Sequence, residues 1–228
     1  MNILITGASR GIGYATTELL CKNSQHQVIA LSRNITHLLE LKRQYANLST
    51  FALDLTAFDK RVIEEIQTQF QTIDILINNA GYLINKSFEE LTDEDWQHSF
   101  EVNVIGVVKM IRAFLPQMGK KHNTHILNIG SMGGFQGTIK FAGLSAYSAS
   151  KAALANLTES LAIELAEKHI KINCLALGSV QTEMFEAAFP NSIASLRTNQ
   201  VAEYIAWFAL NGHTFHNGKV IPVAVSTP

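Results

Sequence analysis

The sequence holds only two cysteines, Cys21 and Cys174, far apart in the chain. A disulfide framework or a cysteine-built metal site needs more than that. Two buried free thiols are the expectation, and they fit a reducing cytoplasm. Long apolar runs are missing as well: nothing approaches the roughly eighteen residues of a membrane span. The opening "MNILITGASRGIG" has no basic n-region, no long apolar h-region and no small-residue cleavage site, so no signal peptide is expected. Neither sign of charge dominates, with 18 Lys and Arg against 19 Asp and Glu. No basic stripe marks a nucleic-acid binder. The eight histidines include no H-E-x-x-H. His122 with His125, and His213 with His216, are spaced i, i+3 in expected loops. No carboxylate or cysteine stands at ligand spacing, so no metal is expected.

What is present is a regular alternation. Apolar runs read "NILIT" (2–6), "QVIALS" (27–32), "STFALD" (49–54), "DILINN" (74–79), "HILNIG" (125–130), "IKINCLAL" (170–177) and "KVIPVAV" (219–225). They are nearly continuous rather than alternating, as expected of strands covered on both faces. Helical patterns lie between them, near 11–23, 36–45, 56–70, 92–119, 146–168 and 199–210. The reading is an α/β fold, a doubly wound, seven-stranded parallel sheet with helices on both faces. No linker or repeat interrupts the 228 residues, so a single domain spanning 1–228 is expected. Thr92 before "DED" predicts an N-cap with acids in the first turn. Lys120 and Lys121 follow the far end of that helical stretch and read as capping and solvation.

"TGASRGIG" (6–13) follows the first strand and opens the first helix. Gly7, Gly11 and Gly13 permit a sharp turn and a close backbone approach to a pyrophosphate. The helix N-terminus adds unpaired donors and a favourable dipole. In that context the loop predicts dinucleotide binding. An acid ending the second strand would hydrogen-bond the ribose 2′-hydroxyl of NAD, whereas a base there accommodates the 2′-phosphate of NADP. Here Ser32 stands at that place, Arg33 follows, and Arg10 lies in the glycine loop. The two arginines, with no acid at the strand end, predict NADP(H) in preference to NAD(H).

Further segments extend the pattern, and together they resemble the short-chain dehydrogenase/reductase family over nearly the whole chain. "TGASRGIG" resembles its cofactor loop, so Ser9 and Ile12 join the nucleotide site. "DL" (Asp54, Leu55) resembles the acid after strand three that contacts adenine. "NNAG" (78–81) resembles the segment after strand four, with Asn79, Ala80 and Gly81 lining the adenine ribose. "VNVIG" (102–106) supplies Asn103, "NIGS" (128–131) Ser131, and "YSASK" (147–151) Tyr147 and Lys151. "GSVQTEM" (178–184) resembles the loop that binds the nicotinamide carboxamide, through Gly178, Val180 and Thr182. The resemblance implies a homodimer or homotetramer, with helices near 92–119 and 146–168 at an interface.

Reducing a ketone by hydride builds alkoxide charge, and a site must deliver a proton as it forms. A phenol's pKa near 10 suits neutral pH poorly unless a nearby ammonium lowers it. Tyr147 and Lys151, at i and i+4, share one helical face. The resemblance implies that Tyr147 is the acid/base and that Lys151 also holds the nicotinamide ribose. It implies that Ser131 donates to the substrate oxygen and that Asn103 holds a water of a proton relay behind Lys151. Singly, each residue has an ordinary reading: core tyrosine, solvated lysine, turn serine. Their joint occurrence with the glycine loop gives them weight.

Some features depart from the family pattern. Ser131 and Tyr147 stand further apart than usual, the excess falling in "MGGFQGTIKFAGLSA" (132–146), where Gly133 or Gly134 would take the serine's place by counting back from Tyr147. Ser131 is kept because "NIGS" ends the fifth strand. Leu177 replaces a proline, leaving its turn less constrained. The segment 185–200, a lid in the family, is short. Phe185, Phe189 and Met184 there fit either an apolar wall or packing onto the body. After the last strand, "PVAVSTP" lacks the family's glycine pair. The expected substrate is a small or medium ketone or aldehyde, or its alcohol. A non-catalytic dinucleotide-binding regulator of the same fold is the alternative. A sugar-nucleotide epimerase or dehydratase would have a differently spaced glycine motif and a larger C-terminal region.

Overall fold

The computed structural model describes residues 1–120 and 124–225. The strands in chain order are β1 (Asn2–Thr6), β2 (Gln27–Ser32), β3 (Leu48–Ala52), β4 (Ile75–Asn78), β5 (Thr124–Ser131), β6 (Ile170–Leu177), β7 (Val180–Gln181), β8 (Leu196–Arg197) and β9 (Val220–Val223). Seven of them form one parallel sheet in the order β3-β2-β1-β4-β5-β6-β9, and β7 and β8 pair separately. The order runs outward in opposite directions from β1 and β4. Their C-terminal ends therefore leave a crevice, the usual ligand position in doubly wound sheets.

Strand parity distributes side chains to two cores. Ile3 and Ile5 enter the core beneath α1 (Gly11–Cys21), α2 (Thr36–Gln44) and α8 (Thr198–Asn211), while Leu4 enters the opposite one. That opposite core packs α3 (Lys60–Gln69), α5 (Gly106–Phe114) and α6 (Ser145–Glu164) through Ile66, Phe114 and Leu154. Both parities are thus apolar, which is why the strands read as continuous runs.

The stretch 92–119 is not one helix. α4 (Asp93–Phe100) passes into a π-helical turn at Glu101–Ile105, then α5, then a 3-10 turn at Leu115–Gln117. Thr92 caps α4 as expected: its Oγ1 accepts from Asp95 N at 3.2 Å, and Asp95 Oδ2 accepts from Thr92 N at 3.1 Å. Two elements escaped the sequence pattern, the helix α7 (Glu183–Ala188) and the β7–β8 pair that closes its base. Leu177 ends β6 buried, paired to Ser131 on one side and Val223 on the other. Cys21 and Cys174 are buried free thiols. No helix among the described residues is long and apolar enough to cross a membrane, and no metal-holding group of three or more ligands occurs among them. His122, Lys121 and the end of "PVAVSTP" lie outside the described residues.

His125 is fully buried at the start of β5. Its Nδ1 lies 3.0 Å from the Ala209 carbonyl, and its Nε2 lies 3.1 Å from Asn173 Nδ2. A carbonyl can only accept and an amide nitrogen only donate, so the ring is the neutral Nδ1–H tautomer. Burial lowers its pKa to about 4. The unfolded chain takes up a proton near pH 6.5 and the folded one only near pH 4. Stability therefore falls as pH drops through that window, by about 3 kcal/mol from this residue. Urea denaturation at pH 7 and pH 4.5 should show the loss, and His125→Gln should flatten the slope between them.

Candidate active site

Glycine geometry shapes the loop after β1. Gly7 sits at φ +66°, and a Cβ there would lie 2.7 Å from Ala80 Cα. At Gly13 a Cβ would meet the Gly7 carbonyl oxygen at 2.2 Å. The loops after β1 and β4 are stitched together. Thr6 Oγ1 accepts from the N–H groups of Asn79 and Ala80, both at 3.1 Å. Asn79 Nδ2 donates back to Thr6 O at 3.0 Å and Gly7 O at 3.1 Å. Arg10 is the N-cap of α1, and no side chain caps that end. The helix N-terminus keeps its donor character toward an anion.

This loop forms one end of a cleft of about 1720 Å³ along the C-terminal edge of the sheet. Every residue named above for the cofactor site lines it, as do Ser131, Tyr147 and Lys151. At the far end of β2, Ser32 Oγ lies 2.7 Å from Ser9 Oγ. Arg33 stands near Asp54. Burial pushes the Asp54 carboxyl up, but the Thr56 N–H and hydroxyl, the Arg33 charge and the Ala57 N–H outweigh it and hold the group below its ordinary value. Arg10 Nε is 4.0 Å from Glu183 Oε2, both side chains well exposed. Such a pair holds neither group firmly, so Arg10 remains free to meet another anion. His37, unremarked in the sequence, joins this end with Nδ1 at 3.4 Å from Ser9 O.

Ser131, Tyr147 and Lys151 converge midway along the cleft. Ser131 ends β5, and its Oγ accepts from Gly133 N at 3.1 Å. Tyr147 lies in the first turns of α6, half-buried. Burial raises its pKa, and a hydrogen bond with Ser131 pulls it partly down. Lys151 is 4% exposed and gives one N–H to Ile129 O at 2.8 Å. Its Nζ is 5.9 Å from the Tyr147 ring centroid. Burial lowers its pKa to about 8, opposed by Cys174. The expected fall in the phenol's pKa is not seen, because burial prevails.

Asn103 is the exception: it lies behind the cleft wall, fully buried in the π-helical turn. Its Oδ1 accepts from Tyr82 N at 2.8 Å, and its Nδ2 donates to Tyr82 O and Ser150 Oγ, both at 2.9 Å. A Cβ on Gly81 would stand 3.5 Å from both Asn103 Oδ1 and Lys151 Nζ. Asn103 thus clamps the strand-four segment against α6 right beside Lys151.

Three segments bound the other end. The loop after Ser131 folds on itself: Thr138 Oγ1 donates to Met132 O and Phe135 O, and Lys140 Nζ donates to Phe135 O at 2.6 Å. Gly134 presses on α6, where a Cβ would sit 2.5 Å from Ala152 N. The helix α7, where the resemblance implies a lid, lines the cleft and is capped by Thr182, whose Oγ1 accepts from Phe185 N at 3.2 Å. Asn85, which carries no sequence signal, donates to Ala188 O at 2.7 Å and ties the lid to the loop after β4. Phe185 and Phe189 belong to neither core and line the cleft, so of their two readings the wall is the one adopted.

The family model of short chain dehydrogenases matches residues 1–192. The 3-oxoacyl-acyl-carrier-protein reductase of Thermotoga maritima is 31% identical, covering 96% of this chain and 94% of its own length. That of Escherichia coli is 30% identical with the same coverage. The structure of ElxO with NADP bound superposes with a TM-score of 0.84 at 29% identity, covering 97% of this chain and 96% of its own. The 3-ketoacyl-acyl-carrier-protein reductase of Brucella melitensis complexed with NADH also gives 0.84, at 25% identity, covering 97% and 96%. With the sheet order, the glycine loop and the Ser–Tyr–Lys cluster in hand, the match over most of the length settles the family: the chain belongs to the short-chain dehydrogenase/reductases, a family of oxidoreductases.

Proposed function

We propose that this protein is an NADP(H)-dependent oxidoreductase that interconverts a small or medium ketone or aldehyde and its alcohol. 3-Oxoacyl thioesters, named for its bacterial relatives, carry such a carbonyl. The reading takes residues 1–228 as one catalytic domain acting as a homodimer or homotetramer in the cytoplasm. The observation that carries it is the meeting of Ser131, Tyr147 and Lys151 in the cleft that the glycine loop opens.

The residues fit a nicotinamide dinucleotide. Gly7 and Gly13 let the loops after β1 and β4 meet with no Cβ between them, and the uncapped start of α1 would face a pyrophosphate in the cleft. Asp54 would meet adenine, and Gly178, Val180 and Thr182 the carboxamide. Arg10 and Arg33, with Ser32 in place of an acid, favour the 2′-phosphate. When bound, the nicotinamide supplies or accepts the hydride.

The chain's own groups handle the proton. The Tyr147 phenol, which burial makes a still weaker acid, is protonated at neutral pH, the form that donates to a carbonyl oxygen as charge builds on it. Ser131 spends a lone pair on Gly133 N–H, so its own proton can point at the same oxygen. Lys151 has two N–H donors beyond the one given to Ile129 O, available to ribose hydroxyls and to a developing phenolate. Asn103 acts as a positioning residue by holding Gly81 and Tyr82 beside Lys151.

The direct test is NADPH oxidation on a carbonyl panel. Tyr147→Phe should lower kcat by roughly 10²–10⁴ while leaving NADPH affinity intact; undiminished turnover would remove Tyr147 from the chemistry. The carbonyl-reduction kcat/KM should decline as pH rises through about 8, where Lys151 loses its charge. The sign follows from a cation whose pKa is lowered by burial. Replacing Arg10 and Arg33 together by alanine should raise the KM for NADPH roughly tenfold or more and leave NADH nearly unchanged. Equal effects on both cofactors would place the arginines elsewhere.

A further inference from the structure

We infer that the substrate is a neutral ketone bearing an apolar group, aryl or medium alkyl, and that Phe185 and Phe189 on the lid select it. The inference rests on the carbonyl-reduction reading and names its substrate class.

Charge is distributed unevenly along the cleft. Among the described residues, its charged side chains are Arg10, Arg33, Asp54, Lys151 and Glu183. The first four belong to the cofactor end or to the proton-handling cluster, and Glu183 faces Arg10 at the base of the lid. Beyond Tyr147 the titratable side chains that line the cleft are His98 and Tyr82, whose rings sit edge-on at 4.4 Å. The nearby cations do not line the cleft. Lys86 pairs with Asp95 at 2.8 Å, and Lys140 closes its own loop on Phe135 O. A carboxylate or phosphate on the substrate would lose water here and gain no counter-charge, which is costly.

The same end offers unused apolar area. Phe185 and Phe189 are one turn apart, with ring centroids at 5.2 Å. Both are half-buried, and neither packs into a core. Met132, Phe141 and Leu144 line the cleft with them. Of the polar side chains beside the lid, Asn85 already donates to Ala188 O, and Gln181 donates to Glu186 Oε1 at 2.7 Å. An apolar group placed there gains burial against both walls, while its carbonyl reaches Ser131 and Tyr147.

The test pairs two ketones of matched shape, 4-methylacetophenone and 4-acetylbenzoate. Each is followed by NADPH oxidation and by calorimetric binding to protein saturated with NADP⁺. The neutral ketone should have at least a tenfold higher kcat/KM and bind correspondingly tighter. Phe185→Ala with Phe189→Ala should raise its KM roughly tenfold, with kcat little changed and NADP⁺ affinity unaltered. Phe185→Leu, which keeps apolar bulk on the lid, should recover most of the loss. Phe185→Arg should narrow the preference by favouring the carboxylate. Equal or better use of the carboxylate, or a KM indifferent to both alanines, overturns the inference, as does failure of the neutral ketone to bind. Tighter binding of the neutral ketone without turnover of any carbonyl would support the pocket and overturn the reductase reading instead.

Discussion

The reciprocal bonds between Thr6, Gly7, Asn79 and Ala80 hold the two halves of the protein at the place where the sheet reverses direction. A doubly wound sheet opens a crevice there because successive crossovers leave in opposite directions. The crevice has a defined shape only if its lips are fixed to each other. Thr6 Oγ1 and the Asn79 amide each bond backbone groups on the facing loop. The contact is close enough that Gly7 and Gly13 cannot carry a Cβ. The start of α1 is thereby aimed into the cleft instead of being covered.

A second set of buried polar groups extends that rigidity to Tyr147 and Lys151, the residues proposed to handle the proton. Asn103 has two donor protons and an acceptor oxygen, and all are used, on Tyr82 and Ser150. Ser150 in turn donates to Tyr147 O. One chain of hydrogen bonds thus links the segment after β4 to the turn of α6 that carries Tyr147. The small residues between Tyr147 and Lys151 acquire a purpose here. Ser150 is fully buried against Asn103, and Gly133 approaches Ser148 so closely that a Cβ would lie 2.9 Å from its hydroxyl. Larger side chains would push β5 and the π-helical turn away from α6.

These details mark the boundary of what the amino-acid order discloses. The seven long strands and the glycine loop were readable because continuous apolar runs and glycines at set spacings report constraints local to a few residues. The break at Asn103 was not. Its cause is a partner at Tyr82 and another at Ser150, distant in sequence, and a 3.6-residue periodicity runs through it unaltered. The lid helix was hidden for another reason. With six residues and a face turned to the cleft rather than to a core, it lacks the length and amphipathic stripe by which helices are recognised. Asn85 and His37 bear no pattern at all, since each matters through one contact with a loop elsewhere. The raised pKa of the Tyr147 phenol was not readable either, because i, i+4 spacing does not report how deeply the ring is buried.

The two ends of the cleft are consequently built on different principles. The cofactor end and the Ser–Tyr–Lys cluster sit on strands and on a 20-residue helix buried in the cores, so their geometry is inherited from the stability of the whole fold. The substrate end rests on a loop bonded to itself and a short helix held at its two ends, by Thr182 and by Asn85. Residues there contribute little to either core, and substituting them costs little folding free energy. Change in substrate is therefore physically easy in this architecture, while change in the hydride and proton chemistry would require repacking the interior.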